Sequence, residues 1–160
     1  MRRFTFTLAV LSFLAVFLGC PKGPNFLEGS ISESHDLAFD RVEVRSLSDQ
    51  NRYEVGYFLD LEGGGADTVA RIVIDAPEGG AKAGKAIDIL EAGGVVQRVT
   101  AANDNFPELE SGNITFATDP VIGEKSSGEF ATVFINGKTL NGGFESEVVE
   151  CTFDAAVPCQ

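Results

Sequence analysis

A serine, a histidine and an aspartate stand side by side at Ser34, His35 and Asp36, and these residue types form hydrolase triads. A triad needs a histidine base that reaches the serine hydroxyl, a carboxylate that orients the base, and an oxyanion hole. We predict a strand here, and neighbouring side chains of a strand point to opposite faces, so they do not converge. The chain has a single histidine, which excludes sites built from several histidines. The sequence therefore predicts no catalytic residues and places His35 at a strand edge.

Residues 79–86 (GGAKAGKA) come within one residue of the phosphate-binding loop pattern G-x-x-x-x-G-K-[ST]. Ala86 stands where that loop needs a hydroxyl group to hold magnesium. The loop also needs the N-terminus of a helix in a parallel α/β scaffold to aim its amides. No window of this sequence shows a sustained helical period. We predict a flexible hairpin loop here and no cofactor.

Two acidic clusters contain the oxygen ligands that calcium prefers. They are Asp60 with Glu62 and Asp67, and Asp104 with Glu108 and Glu110. Neither cluster matches the twelve-residue EF-hand pattern, so we expect solvated loops and assign no metal ligand. A calcium-stabilised adhesion or structural module stays open as an alternative function.

The cysteines Cys151 and Cys159 are an even pair near the C-terminus, and seven residues separate them. In an oxidising compartment such a pair forms a disulfide. We predict this bond, and the small ring would contribute about 2–3 kcal/mol in the loop-entropy model. Free thiols, or a bond to another protein, are the alternatives.

The charge of the chain is strongly acidic, with 24 acidic and 12 basic residues and a formal net charge of −12. Removal of a segment containing Arg2 and Arg3 would bring the charge to about −14. The phosphates of a nucleic acid would meet like charge on such a domain. We therefore exclude nucleic acid as a partner.

The N-terminal twenty residues divide into three zones that are typical of an export signal. Arg2 and Arg3 form a basic start, and residues 4–18 are almost wholly apolar. Fifteen or so apolar residues are too few for an ordinary spanning helix, which needs about twenty. The run then ends at Gly19 and Cys20.

The sequence Phe17, Leu18, Gly19 and Cys20 resembles the lipobox of bacterial lipoproteins, although the family usually has leucine where Phe17 stands. The resemblance implies that residues 1–19 are removed as a signal peptide and that Cys20 receives a diacylglycerol thioether. Two or three acyl chains give stable anchoring, since each buried methylene contributes about 0.8 kcal/mol. The alternatives are an ordinary cleaved signal with Cys20 in a disulfide, or an uncleaved anchor helix. By the same resemblance, Pro21 in place of aspartate indicates the outer membrane, on its periplasmic face or at the surface.

The rest of the chain is predicted to form one all-β domain, a single antiparallel β-sandwich (immunoglobulin-like or similar) over residues 28–160. Residues 20–27 would be the lipidated cysteine and a short tether of about 20–25 Å. The clearest strand covers residues 52–62, where large apolar side chains alternate with period two. The other predicted strands cover residues 26–34, 35–46, 68–76, 85–90, 95–100, 113–118, 128–135 and 143–153.

Two further stretches, Leu37 to Asp40 and Asn136 to Phe144, resemble segments of small lipoproteins of myxobacteria-like Gram-negative bacteria. That resemblance implies a β-rich envelope domain and no particular activity. We predict a membrane-anchored, non-catalytic binding or scaffolding domain in the cell envelope, which engages a protein or glycan through loops or a strand edge. An envelope enzyme is the less favoured alternative.

Overall fold

The computed structural model describes residues 23–151, so the predicted signal segment, Cys20 and Cys159 lie outside the described residues. The described chain forms nine strands and one short 3₁₀ helix at Ser30–Glu33. The strands are β1 Phe26–Glu28, β2 Arg41–Leu47, β3 Arg52–Asp60, β4 Ala66–Asp75, β5 Ala86–Asp88, β6 Val95–Val99, β7 Leu109–Phe116, β8 Lys125–Phe134 and β9 Thr139–Cys151. The prediction of an all-β domain is confirmed.

One continuous sheet contains all nine strands and curls into a half-barrel. Its order is β5-β7-β8-β9-β2-β3-β4-β6, and β1 pairs with β9 beside that path. The pairs are antiparallel except that β2 runs parallel to β9. The prediction of a purely antiparallel sheet is therefore wrong, and a two-sheet sandwich is not confirmed.

The parallel pair follows from the way in which the chain reverses after β1. β1 lies antiparallel to β9 and pairs with Gly142 and Gly143 at its centre. The 3₁₀ helix and residues 34–40 then turn the chain around, and β2 returns to the same edge of β9 at Val148. Because β1 and β2 run in opposite directions along one edge, one of them must be parallel to β9.

The first predicted strand, residues 26–34, ends much earlier than expected. Gly29 adopts φ 138, and a Cβ atom there would overlap the backbone of Thr139. Beyond it, the Ser32 hydroxyl donates to the Gly29 carbonyl at 2.8 Å, and the Ser34 hydroxyl donates to the Ile31 carbonyl at 3.2 Å. Serine side chains that bond to the local backbone in this way compete with a sheet ladder. They stabilise a helical turn where we had predicted a strand.

The interior of the half-barrel is filled by the inward face of each strand. On β3, the predicted alternation is confirmed for Tyr53, Val55 and Tyr57, which lie on the core side. Leu61 falls beyond the strand and is 40% exposed. The Tyr57 hydroxyl donates to the Gly143 carbonyl at 2.8 Å across the interior, and burial raises the pKa of this phenol.

Aromatic rings join the two halves of the curled sheet. The ring of Tyr53 lies 5.8 Å from that of Phe116, and the ring of Tyr57 lies 6.0 Å from that of Phe130. These contacts connect β3 with β7 and β8, which are far away along the sheet. Since such rings bury large apolar areas, they hold the sheet in its curled form.

The turn between β8 and β9 contains an asparagine and a glycine, Asn136 and Gly137. Gly137 has φ 75 and donates its amide to the Phe134 carbonyl at 2.7 Å. The Asn136 side chain accepts the Lys138 amide at 3.0 Å. The pair Asn136-Gly137 thus lies in a tight turn, a position that these residue types favour.

Within residues 23–151, no helix is long and apolar enough to cross a membrane.

Candidate functional site

Ser34 and His35 contact each other, although we predicted that their side chains would point to opposite faces of a strand. The Ser34 hydroxyl lies 2.9 Å from His35 Nδ1 at the end of the 3₁₀ helix, where Ser34 is exposed and His35 is half-buried. Asp36 does not orient the histidine, because its carboxylate accepts the Ala38 amide at 3.0 Å. His35 Nε2 lies 3.4 Å from the Asn105 carbonyl. The structure thus brings the serine and the histidine together but does not place the aspartate as a triad requires.

The glycine-rich segment 79–86 connects β4 with β5, and these two strands do not pair with each other, so the prediction of a hairpin loop is wrong. Its amides are engaged within the protein, since the Ala83 amide donates to the Asp119 carboxylate at 2.7 Å. This hydrogen bond, together with Lys82 at 3.5 Å, lowers the pKa of Asp119. The segment leads into β5 and not into a helix, so it lacks the geometry of a phosphate-binding loop.

The two acidic clusters of the sequence are dispersed among other partners. Asp60 forms an ion pair with Arg41 at 3.0 Å, and Asp67 accepts the Ala101 amide at 3.0 Å. Among residues 23–151, no group of three or more acidic, histidine or cysteine side chains is arranged to hold a metal ion.

Asp104 belongs to a partly buried network around Arg98, which is only 7% exposed. The guanidinium donates to the carbonyls of Asp36 at 2.9 Å and Val69 at 3.1 Å, and its Nε lies 3.1 Å from Asp104. A hydrogen bond from Thr100, together with Arg98, lowers the pKa of Asp104 to about 2. The network connects two loops to β4 and β6. One loop precedes β2 and contains Asp36, and the other follows β6 and contains Asp104.

Cys151 is buried at the end of β9, opposite Leu47 of β2. Its predicted partner Cys159 lies outside the described residues, as does the predicted lipidation site Cys20. The disulfide and the lipid attachment therefore stay predictions.

An open groove of about 560 Å³ lies where the chain leaves β4 and enters β5. Lys82 and Lys85 line it. Four carboxylates also line the groove, from Asp75, Glu78, Asp88 and Glu91. The groove is therefore polar and of mixed charge, with more carboxylates than lysines.

On the outer face of β2, β3 and β4, neighbouring carboxylates match the charges of the arginine side chains. The Arg45 guanidinium contacts Glu43 and lies 3.1 Å from the Glu54 carboxylate, which is itself buried. Arg71 approaches the other oxygen of Glu54 at 3.8 Å. These arginines therefore stabilise the sheet face, and their charges are already matched.

The strand β6 forms one end of the sheet. In the described part of the chain it pairs only with β4, so its other edge carries unpaired backbone groups. On its outer face Gln97 is exposed, and Val95 and Val99 are 42% and 57% exposed. Leu90, in the turn that joins β5 to β6, is 46% exposed. An apolar, unpaired edge of five residues is a template for another strand.

Sequence reasoning found the β6 strand, since residues 95–100 were predicted to be extended. It missed that this strand is an edge, because edge position depends on the order of strands in the sheet.

No protein-family model matches this chain, and no similar protein was found among the curated proteins or the solved structures.

Proposed function

We propose that this protein is a lipid-anchored envelope protein whose β-domain binds an extended segment of another envelope protein along β6, without catalysis. The unpaired edge of β6, with its exposed valines, is the observation that supports this function best. An added strand would satisfy the free N–H and C=O groups of that edge. Its side chains would lie beside Val95 and Val99.

The edge of β6 is less protected against the addition of a strand than the edge of β5 at the other end of the sheet. The strand at that end, β5, has only three residues and pairs with β7. Short edge strands are a common protection against unwanted pairing. β6 is longer, and its exposed residues Val95, Gln97 and Val99 carry no charge that would repel an incoming strand.

The anchor part of the proposal rests on the lipobox-like residues that end at Cys20. We propose the outer membrane as the location. The experiment is Cys20→Ser in the full chain, which should abolish incorporation of labelled fatty acid and release the protein from the membrane fraction. Variants of Cys151 and Cys159 to serine are the controls and should keep the label. An unchanged distribution of Cys20→Ser would contradict the anchor.

The edge part is tested with the double variant Val95→Lys and Val99→Lys, since lysine on an edge opposes strand addition. The lipidated chain is cross-linked in its native membrane, and the cross-linked protein is identified for each variant. We expect the partner to be lost from the double variant. Ile135→Lys is the matched control, because Ile135 is 61% exposed in the β8–β9 turn and should leave the cross-link intact. Equal cross-linking of both variants would argue against binding at β6.

A further inference from the structure

The connection between β7 and β8 presents two neighbouring apolar side chains to solvent. Val121 and Ile122, here called the apolar tip, are each 47% exposed. The loop beneath them is held by backbone hydrogen bonds, because the Gly123 amide donates to the Val148 carbonyl at 2.8 Å. The Val148 amide in turn donates to the Glu124 carbonyl at 2.9 Å. An ordered loop therefore holds this apolar pair away from the core.

The apolar tip lies at the end of the molecule from which the N-terminal segment departs. β1 runs antiparallel to β9, so the chain traced backwards from Phe26 moves along β9 in the direction of Val148. Asn25 confirms this course, because its side chain accepts the Glu145 amide at 2.6 Å. Gly23 and Pro24 line one groove together with Ala117, which directly follows β7, and Ser127, which lies near the start of β8.

The number of residues before Gly23 limits how far the lipid can be from this end. Cys20 precedes Gly23 by three residues. Three residues span at most about 11 Å in any conformation. Lipid chains on Cys20 would therefore hold the end of the domain that carries the apolar tip close to the bilayer.

We infer that Val121 and Ile122 insert into the interfacial region of the bilayer in which Cys20 is anchored, and that they fix the orientation of the domain on the membrane. This inference rests on the lipid anchor of the proposed function. Apolar side chains at the boundary of headgroups and acyl chains bind through the area that they bury. Two side chains alone would bind a bilayer weakly. The lipid on Cys20 raises their effective concentration at the bilayer surface.

The charges around the apolar tip indicate which lipids it would meet. Glu124 and Glu147 flank it, and Lys125 pairs with Glu145 at 3.0 Å. An acidic surround is repelled by anionic headgroups. The contact therefore fits a zwitterionic lipid surface, and the test uses phosphatidylcholine vesicles.

The chain contains no tryptophan, so one introduced indole reports on one position. We would purify full-length, membrane-derived Ile122→Trp and Ile135→Trp and reconstitute each into phosphatidylcholine vesicles with brominated acyl chains. Ile135 is the control because it lies in the turn at the opposite end of β8, about 30 Å away along the strand. We expect the indole at position 122 to shift its emission to shorter wavelength and to lose most of its fluorescence to bromine. The indole at position 135 should show neither effect.

The outcomes separate the docking from the anchor. If the Ile122→Trp protein floats with the vesicles but its indole is not quenched, the anchor holds and the docking of the apolar tip is wrong. Equal quenching at both positions would also overturn it, since the domain would then have no fixed orientation. A protein that fails to float contradicts the anchor and the docking together.

Discussion

Asp104 shows how one carboxylate holds the loop after β6 against the sheet. The hydrogen bond from Thr100 and the ion pair with Arg98 favour the charged form of Asp104. Because its pKa falls from 3.8 to about 2 on folding, the stabilisation is fully present above about pH 4. It is lost as the pH falls towards 2.

Asp104→Asn should therefore lower the free energy of unfolding at pH 7 by on the order of 1 kcal/mol, a value reduced for the partial exposure of the carboxylate. The difference from the wild type should shrink as the pH approaches 2. Urea unfolding at both pH values measures it. Glu62→Gln, which changes an exposed turn carboxylate, is the control. A destabilisation that is independent of pH would contradict a role for the ionised group.

At the scale of the element, β1 depends on a glycine in the strand beside it. A Cβ atom on Gly143 would overlap the Phe26 ring and would lie 2.8 Å from the Pro24 carbonyl. Gly143→Ala should displace β1 from β9 and destabilise the fold by about 1–3 kcal/mol, the usual effect of overpacking. Faster hydrogen exchange at the Leu27 amide would report the displacement. Gly23→Ala, where a Cβ meets nothing within 4 Å, should leave that rate unchanged.

The elements also show which structural information the sequence carries locally. The strand β3 was predictable because its inward side chains alternate strictly and its ends carry turn residues. The end of β1 was not, because Gly29 is constrained by Thr139, a residue far away in sequence. The contact of Ser34 with His35 was missed for the same reason, since it depends on the turn that replaces the strand.

At the scale of the whole molecule, pairing order decides both the fold and the candidate site. The parallel pair of β2 and β9 and the free edge of β6 follow from which strands meet, and local patterns do not contain that information. The composition did predict the all-β class, and the residues ending at Cys20 predict the anchor without reference to any fold. The binding edge could only be found once the sheet order was known.

Tyr57 connects the two halves of the curled sheet inside the core. The hydrogen bond from the Tyr57 hydroxyl to the Gly143 carbonyl joins β3 to β9 inside the core. Tyr57→Phe leaves a buried carbonyl without this donor, which should cost about 1–3 kcal/mol. Tyr53→Phe is the matched control, because Tyr53 also packs its ring on a core phenylalanine but is only half-buried.

Both variants should unfold in one cooperative transition when followed by urea titration, because the two halves of the sheet share one core. Equal destabilisation by the two substitutions would show that the Tyr57 hydrogen bond has no special part in closure. Two separate transitions in Tyr57→Phe would instead mean that this bond couples two units that are able to unfold independently.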